Sequence, residues 1–209
     1  MLKQVFTELV RNYSADKNTA ARFWNEIVIN LHDAGRYYHD LTHLKQMYNE
    51  LLEVKNQIED WHSILFALYY HDIIYNTQRS DNEVESASLA EERLNEIGYP
   101  KNRIQRCIMH ILATKGHSLN EDNDTNLFTD SDLSILGSDT KAYTAYKQNI
   151  RSEYFNYTNT DYIYGRKKAL AHFLNMNSIF KTKYFIEKYE QQARINLEEE
   201  LDLLSSGII

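Results

Sequence analysis

A chain of 209 residues, 43% of them apolar, has the length and composition of one compact domain with a sizeable core. Its net charge of −7 argues against a nucleic-acid polymer as partner, and a single cysteine, Cys107, excludes a disulfide framework. No run approaches the roughly 18 apolar residues of a membrane span, and the chain reads as a cytoplasmic protein.

One proline and six glycines are too few turn residues for a sheet protein, and helical spacing recurs along the chain. The opening MLKQVFTELVRNYSAD reads as an amphipathic helix rather than a signal peptide, with Phe6, Leu9, Val10 and Tyr13 on one face. Phe23, Trp24, Ile27, Val28 and Leu31 share the next face. Further helices are predicted over Leu41–Lys55, Trp61–His71, Asn82–Ile97 and Lys101–Thr114. Asp40 and Asp81 read as N-caps, and Gly98-Tyr99-Pro100 as a stop. Gly116–Thr125, rich in Asn and Asp, reads as an exposed loop. Thr140–Tyr157, Asp161–Phe173 and Tyr184–Leu204 complete the helices, and Glu198–Glu200 reads as a solvated face. The expected class is all-α: a single domain over 1–209, with a core of about 25–140 and a helical extension of about 140–205.

The stretch SILFALYYHDIIYN sets His71 and Asp72 inside an apolar run, where neither belongs without a polar partner. Adjacent helical residues point about 100° apart, so the two cannot pair face to face, but both can reach one ion beside the helix. Two ligands are too few. RYYHDLTHL offers His39 and His43; with Asp40 as cap, His39 precedes the helix and His43 lies in its first turn, one facing metal and the other substrate. LFTDSDLSILG offers Asp130 and Asp132 ahead of Leu133 and Leu136, a source of hard oxygen ligands, although Asp130 also suits an N-cap. His32, His62 and His172 read as ordinary core or surface histidines.

The order His…His-Asp…Asp resembles the HD superfamily of metal-dependent phosphohydrolases, which includes cyclic-nucleotide phosphodiesterases, nucleotidases and the hydrolases of guanosine tetraphosphate. RYYHDLTH, YYHDIIYN, SDNEVESASLA, ILATKGH, DSDLSILG, YKQNIRSEY and ARINLEEEL are similar to a bacterial group of predicted metal-dependent HD phosphohydrolases, over about Asn25 to Leu201. The resemblance implies an HD-like helical bundle with additional N- and C-terminal helices. It implies His43 as the first metal histidine, His71 and Asp72 as the pair that names the superfamily, and Asp132 as the late aspartate, with Asp130 as the alternative. It gives His39 the task of protonating the leaving oxygen. Dinuclear members use two further histidines, and His110 and His117 lie in the matching interval, so the set accommodates one ion or two.

Two imidazoles and two carboxylates leave open positions on an octahedral ion, and Mn²⁺, Fe²⁺, Co²⁺, Ni²⁺, Mg²⁺ or Zn²⁺ all suit. Water on such an ion has a lowered pKa and attacks phosphorus, with Asp72 orienting it. Arg36 and Lys115 adjoin the motifs and are the candidate phosphate-binding cations. Asn82, Glu83 and Ser86 read either as contacts to the ligands or substrate, or as a solvated first turn. Arg151 reads either as a surface partner of Glu153 or, with Arg166, as a residue closing the pocket. The expected substrate is a small phosphorylated metabolite, a nucleotide foremost; a homo-oligomer is compatible. Two alternatives stand beside this reading: a di-iron oxygenase on the same scaffold, as inositol oxygenase is, and a non-catalytic sensor of a metal or nucleotide.

Overall fold

A computed structural model describes residues 1–16 and 18–207, and among them there is no β-strand. The all-α expectation holds. In chain order the helices are α1 (Leu2–Arg11), α2 (Thr19–Leu31), α3 (Leu41–Glu53), α4 (Trp61–Tyr70), α5 (Asn82–Glu96), α6 (Lys101–Ala113), α7 (Asn123–Leu133), α8 (Thr140–Glu153), α9 (Asn159–Leu174), the single turn α10 (Lys183–Phe185) and α11 (Gln191–Ser205). None of the described helices is long and apolar enough to cross a membrane. Two compact units emerge, Met1–Thr129 and the residues from Asp130 onward, and the division falls inside α7 rather than near residue 140.

The first unit is organised around α4. Its run Ile64–Tyr70 is buried on every face, and it packs against α1, α3, α5 and α6. A helix apolar all round belongs in the middle of a core. The amphipathic faces close on it with Phe6 and Val10 from α1, Phe23 and Ile27 from α2, Met47 and Leu51 from α3, and Cys107 and Ile111 from α6. Asp60 caps α4 from a buried position by accepting from Ser63 N–H at 3.1 Å and Ser63 Oγ at 2.7 Å, and Arg103 pairs with it. Burial pushes that carboxyl up, but the hydrogen bonds from Arg103 and Ser63 outweigh it and hold the pKa well below the usual range.

Helix α7 replaces part of the loop expected over Gly116–Thr125. Its sequence NDTNLFTDSDL is poor in helix formers, so propensity gives little sign of it. Local hydrogen bonds and burial make the helix instead. Asp122 accepts from Thr125 N–H at 3.2 Å and Thr125 Oγ1 at 2.7 Å, and Leu127 and Phe128 are fully buried.

In the second unit α11 packs against α9 and against the 3₁₀ turn Ser134–Gly137. Gly137 permits this approach, since a Cβ there would lie 2.6 Å from the Tyr189 carbonyl oxygen. Tyr189 belongs to the π-helical turn Ile186–Glu190 that joins α10 to α11. Glu200 corrects the expectation of a solvated acidic face: Glu198 and Glu199 are exposed, but Glu200 is buried. Its carboxylate accepts from Arg166 Nε at 2.8 Å, Arg166 Nη2 at 3.0 Å and the Tyr143 hydroxyl at 2.5 Å. Arg166 is therefore held by Glu200 within this unit. The expected start of α9 at Asp161 also moves, because Thr158 caps the helix by accepting from Asp161 N–H.

Candidate metal centre

Two helix ends position the central side chains. Asp40, in extended conformation, caps α3 by accepting from the N–H groups of Thr42 at 2.6 Å and His43 at 3.2 Å. This sets His43 in the first turn and leaves His39 ahead of the helix, as the spacing predicts. α4 ends at Tyr70, one residue before the expected limit. His71 is thus its C-cap, and Asp72 lies in the turn beyond rather than on the helix.

The ends converge. His43 Nε2 and His71 Nε2 are 3.4 Å apart, and Asp72 Oδ2 lies 3.0 Å from His71 Nε2 and 3.8 Å from His43 Nε2. The two imidazoles are 3% and 1% exposed, while the Asp72 side chain keeps 18%, so solvent reaches the cluster at the carboxylate. Phe128 stands edge-on to the His71 ring at 5.8 Å.

Protonation follows from the partners. His71 Nδ1 lies 3.0 Å from the Leu68 carbonyl oxygen, which only accepts, so Nδ1 carries the proton. In the neutral ring Nε2 is then a lone pair facing a carboxylate oxygen at 3.0 Å, and two acceptors that close need a positive charge between them. A proton can bridge His71 and Asp72; a divalent cation can be shared by His43, His71 and Asp72 together. Donors bound at about 2.1 Å stand about 3.0 Å apart at octahedral angles and about 3.4 Å apart at tetrahedral ones. Two of the three separations match these values, and the 3.8 Å one needs a wider angle. The negative end of α4 favours the cation too. The residues fit a metal ion.

Arg36 shapes the surroundings. Its Nη1 donates to the carbonyls of His39 at 3.1 Å and Asp72 at 2.5 Å, and its Nη2 to that of Ile73 at 2.9 Å. The guanidinium expected to meet phosphate is turned to backbone oxygens, tying the segment before α3 to the turn after α4. Ser86 accepts from Ile74 N–H at 3.1 Å and donates to Ile74 O at 3.2 Å, while the Asn82 amide exchanges hydrogen bonds with the Asn76 backbone. Both therefore hold the chain just past the His-Asp pair. Glu83 lies 3.9 Å from Lys115, whose ammonium donates to the Ser80 carbonyl at 2.6 Å.

The remaining expected residues sit elsewhere. His110 is fully buried on α6, its Nδ1 2.8 Å from Thr125 Oγ1, and His117 adopts φ 49° beyond the helix end. Neither joins the close group of donors that includes His43 and His71. Asp130 is occupied: Lys181 N–H, Thr182 N–H and Thr182 Oγ1 all donate to it, at 2.7 to 3.0 Å, with the Lys181 ammonium at 3.4 Å. Its place is to anchor that loop of the second unit. Arg151 donates to the carbonyls of Tyr154 and Tyr157 and to Asn159 Oδ1, fastening the turn between α8 and α9 beside a cavity of about 560 Å³. Sequence reasoning missed Tyr38 and Tyr75, whose rings lie 4.9 and 4.3 Å from that of His39. Their only signal is their place inside RYYHDLTH and YYHDIIYN.

Compared with protein-family models, curated proteins and solved structures, the chain finds no match.

Proposed function

We propose that this chain is a metal-dependent phosphohydrolase of the HD type, cleaving a phosphate ester of a small metabolite, with nucleotides the leading class. The observation that carries the reading is the buried meeting of His43, His71 and Asp72 at separations suited to one ion. Asp132 is the fourth ligand in this reading. It follows Phe128 by four positions on α7, so the two share a helix face, and its carboxylate is partly buried.

A divalent cation held by these residues supplies a lowered pKa for water and Lewis-acid withdrawal of charge from a phosphoryl oxygen. Asp72, the most exposed of the three first-unit groups, holds the attacking water in line. His39, its ring 5.7 Å from that of His43, carries the proton for the leaving oxygen. Arg36 acts by fixing the backbone of both segments.

The test is direct. Protein stripped of metal and reloaded with Mn²⁺ or Co²⁺ is assayed on a broad panel of phosphomonoesters, phosphodiesters and nucleotides. Turnover that is lost in His43→Ala and His71→Gln supports the reading. Metal-loaded protein that cleaves nothing in the panel overturns it, and tight nucleotide binding without turnover would favour a sensor.

A further inference from the structure

We propose that Tyr75 is a positioning residue that holds the His39 imidazole at the rim of the centre; the mechanistic part of this rests on His39 being the proton donor. His39 precedes α3, so no helical neighbours fix its rotamer. Its ring is held by aromatic neighbours instead. Tyr75 lies 4.3 Å away, its ring tilted 31° to the imidazole. Tyr38 meets it edge-on at 4.9 Å and 83°. A ring packed this closely against the imidazole resists its swinging away, the motion that would carry the nitrogen off its target.

Tyr75 is itself anchored. Ser86 and Asn82 hold the backbone of Ile74 and Asn76 on either side of it. The Arg36 guanidinium lies 5.3 Å from its ring centroid, and the same group donates to the His39 carbonyl. One cation and one phenol ring thus fasten the two halves of His39, Arg36 its backbone and Tyr75 its side chain.

The consequence is chemical. As the bond from water to phosphorus forms, the ester P–O bond breaks and a proton on the His39 ring passes to the leaving oxygen; a proton released by the attacking water restores the ring over the cycle. A poor leaving group needs that proton, whereas p-nitrophenolate departs without it. Loosening His39 therefore penalises alkyl esters more than aryl ones, a pattern that general damage to the fold does not give.

The experiment uses the full chain with Tyr75→Leu and Tyr75→Phe. Histidine ring signals are first recorded by NMR without substrate, His39 being assigned through His39→Asn. Expected are ring-current-shifted His39 protons in the wild type and Tyr75→Phe, and a clear change of that shift in Tyr75→Leu, where the Tyr38 ring remains. Unchanged His39 signals in Tyr75→Leu overturn the proposal, whether or not the protein proves to be an enzyme. The Mn²⁺-loaded proteins are then compared on glycerol phosphate and p-nitrophenyl phosphate. Tyr75→Leu is expected to lose about tenfold or more in kcat on the alkyl ester and under about threefold on the aryl ester, with Tyr75→Phe near wild type. Equal losses on both esters overturn the role of Tyr75 in proton donation. A wild type that cleaves neither ester counts against the proposed function, and the NMR arm still decides the contact.

Discussion

His71 Nδ1 lies 3.0 Å from the carbonyl oxygen of Leu68, one turn back along α4, and that bond puts the lone pair of the neutral ring on Nε2, the nitrogen that faces Asp72 and His43. The helix that carries the residue also sets its tautomer. Ion binding should then stabilise the fold without rearranging it. At a hundredfold excess over Kd, linkage gives about 2.7 kcal/mol, which for a chain of this size is a rise of about 5–10 °C in Tm. His71→Gln and His43→Ala are expected to show neither the rise nor binding heat by calorimetry. A wild type whose Tm ignores Mn²⁺, Co²⁺, Fe²⁺ and Zn²⁺ alike would contradict the assignment.

Asp130 and Asp132 should separate cleanly. Asp130 is 0% exposed, receives two backbone N–H groups and a hydroxyl, and has the Lys181 ammonium 3.4 Å away, so Asp130→Ala takes from a buried lysine its ion-pair partner. Removing one partner of a buried pair costs about 3–5 kcal/mol. Asp132→Ala is expected to cost under about 1 kcal/mol in the metal-free protein and to abolish ion binding. Urea denaturation with and without Mn²⁺ checks both, and a reversed pattern would reassign the ligand.

The two aspartates also mark how far the sequence could be read. Apolar periodicity in Phe23, Ile27 and Leu31, or across α4, reports a core because burial is what creates the pattern. His71 and Asp72 stood out for the converse reason, as polar groups inside such a run. Asp130 and Asp132 share one local pattern; what distinguishes Asp130 is a loop 51 and 52 positions later, which no local signal reveals. Arg36 beside a motif invites an anion, but its partners are carbonyls supplied by backbone at Asp72 and Ile73. α7 was obscured because hydrogen bonds from Asp122 and burial of Leu127 and Phe128 outweigh the low propensity of its sequence.

Glu200 should be the critical residue of its acidic triplet. It balances Arg166 in a pair whose side chains are 10% and 5% exposed, and it accepts from Tyr143. Glu200→Ala strands the guanidinium and is expected to lose about 3–5 kcal/mol. Glu198→Ala and Glu199→Ala, on the exposed face, should stay within about 0.5 kcal/mol of wild type. Chemical denaturation of the three variants decides it, and three equal effects would mean that the pair is not buried in solution.

His110 makes stability depend on pH. Burial pushes its pKa down to about 4 from the usual 6.5; Asp122 and Asp124 oppose the shift and Arg106 assists it. Thr125 Oγ1 donates to Asp122, so it accepts from His110 Nδ1–H, and Nε2 is buried without a hydrogen-bond partner among the described residues. Burial therefore outweighs the nearby carboxylates, and the folded ring takes up a second proton less readily. Between about pH 6.5 and 4 the unfolded chain holds a proton on this ring that the folded chain lacks, so stability falls as pH falls through that window. The full difference is about 3 kcal/mol at 1.36 kcal/mol per pH unit. His110→Gln retains a donor to Thr125 and cannot titrate. Its loss of stability between pH 7 and pH 4.5, measured by urea denaturation, should be smaller than that of the wild type, whatever its stability at pH 7. Parallel curves for the two proteins would show that His110 takes up its proton in the folded chain as readily as in the unfolded one.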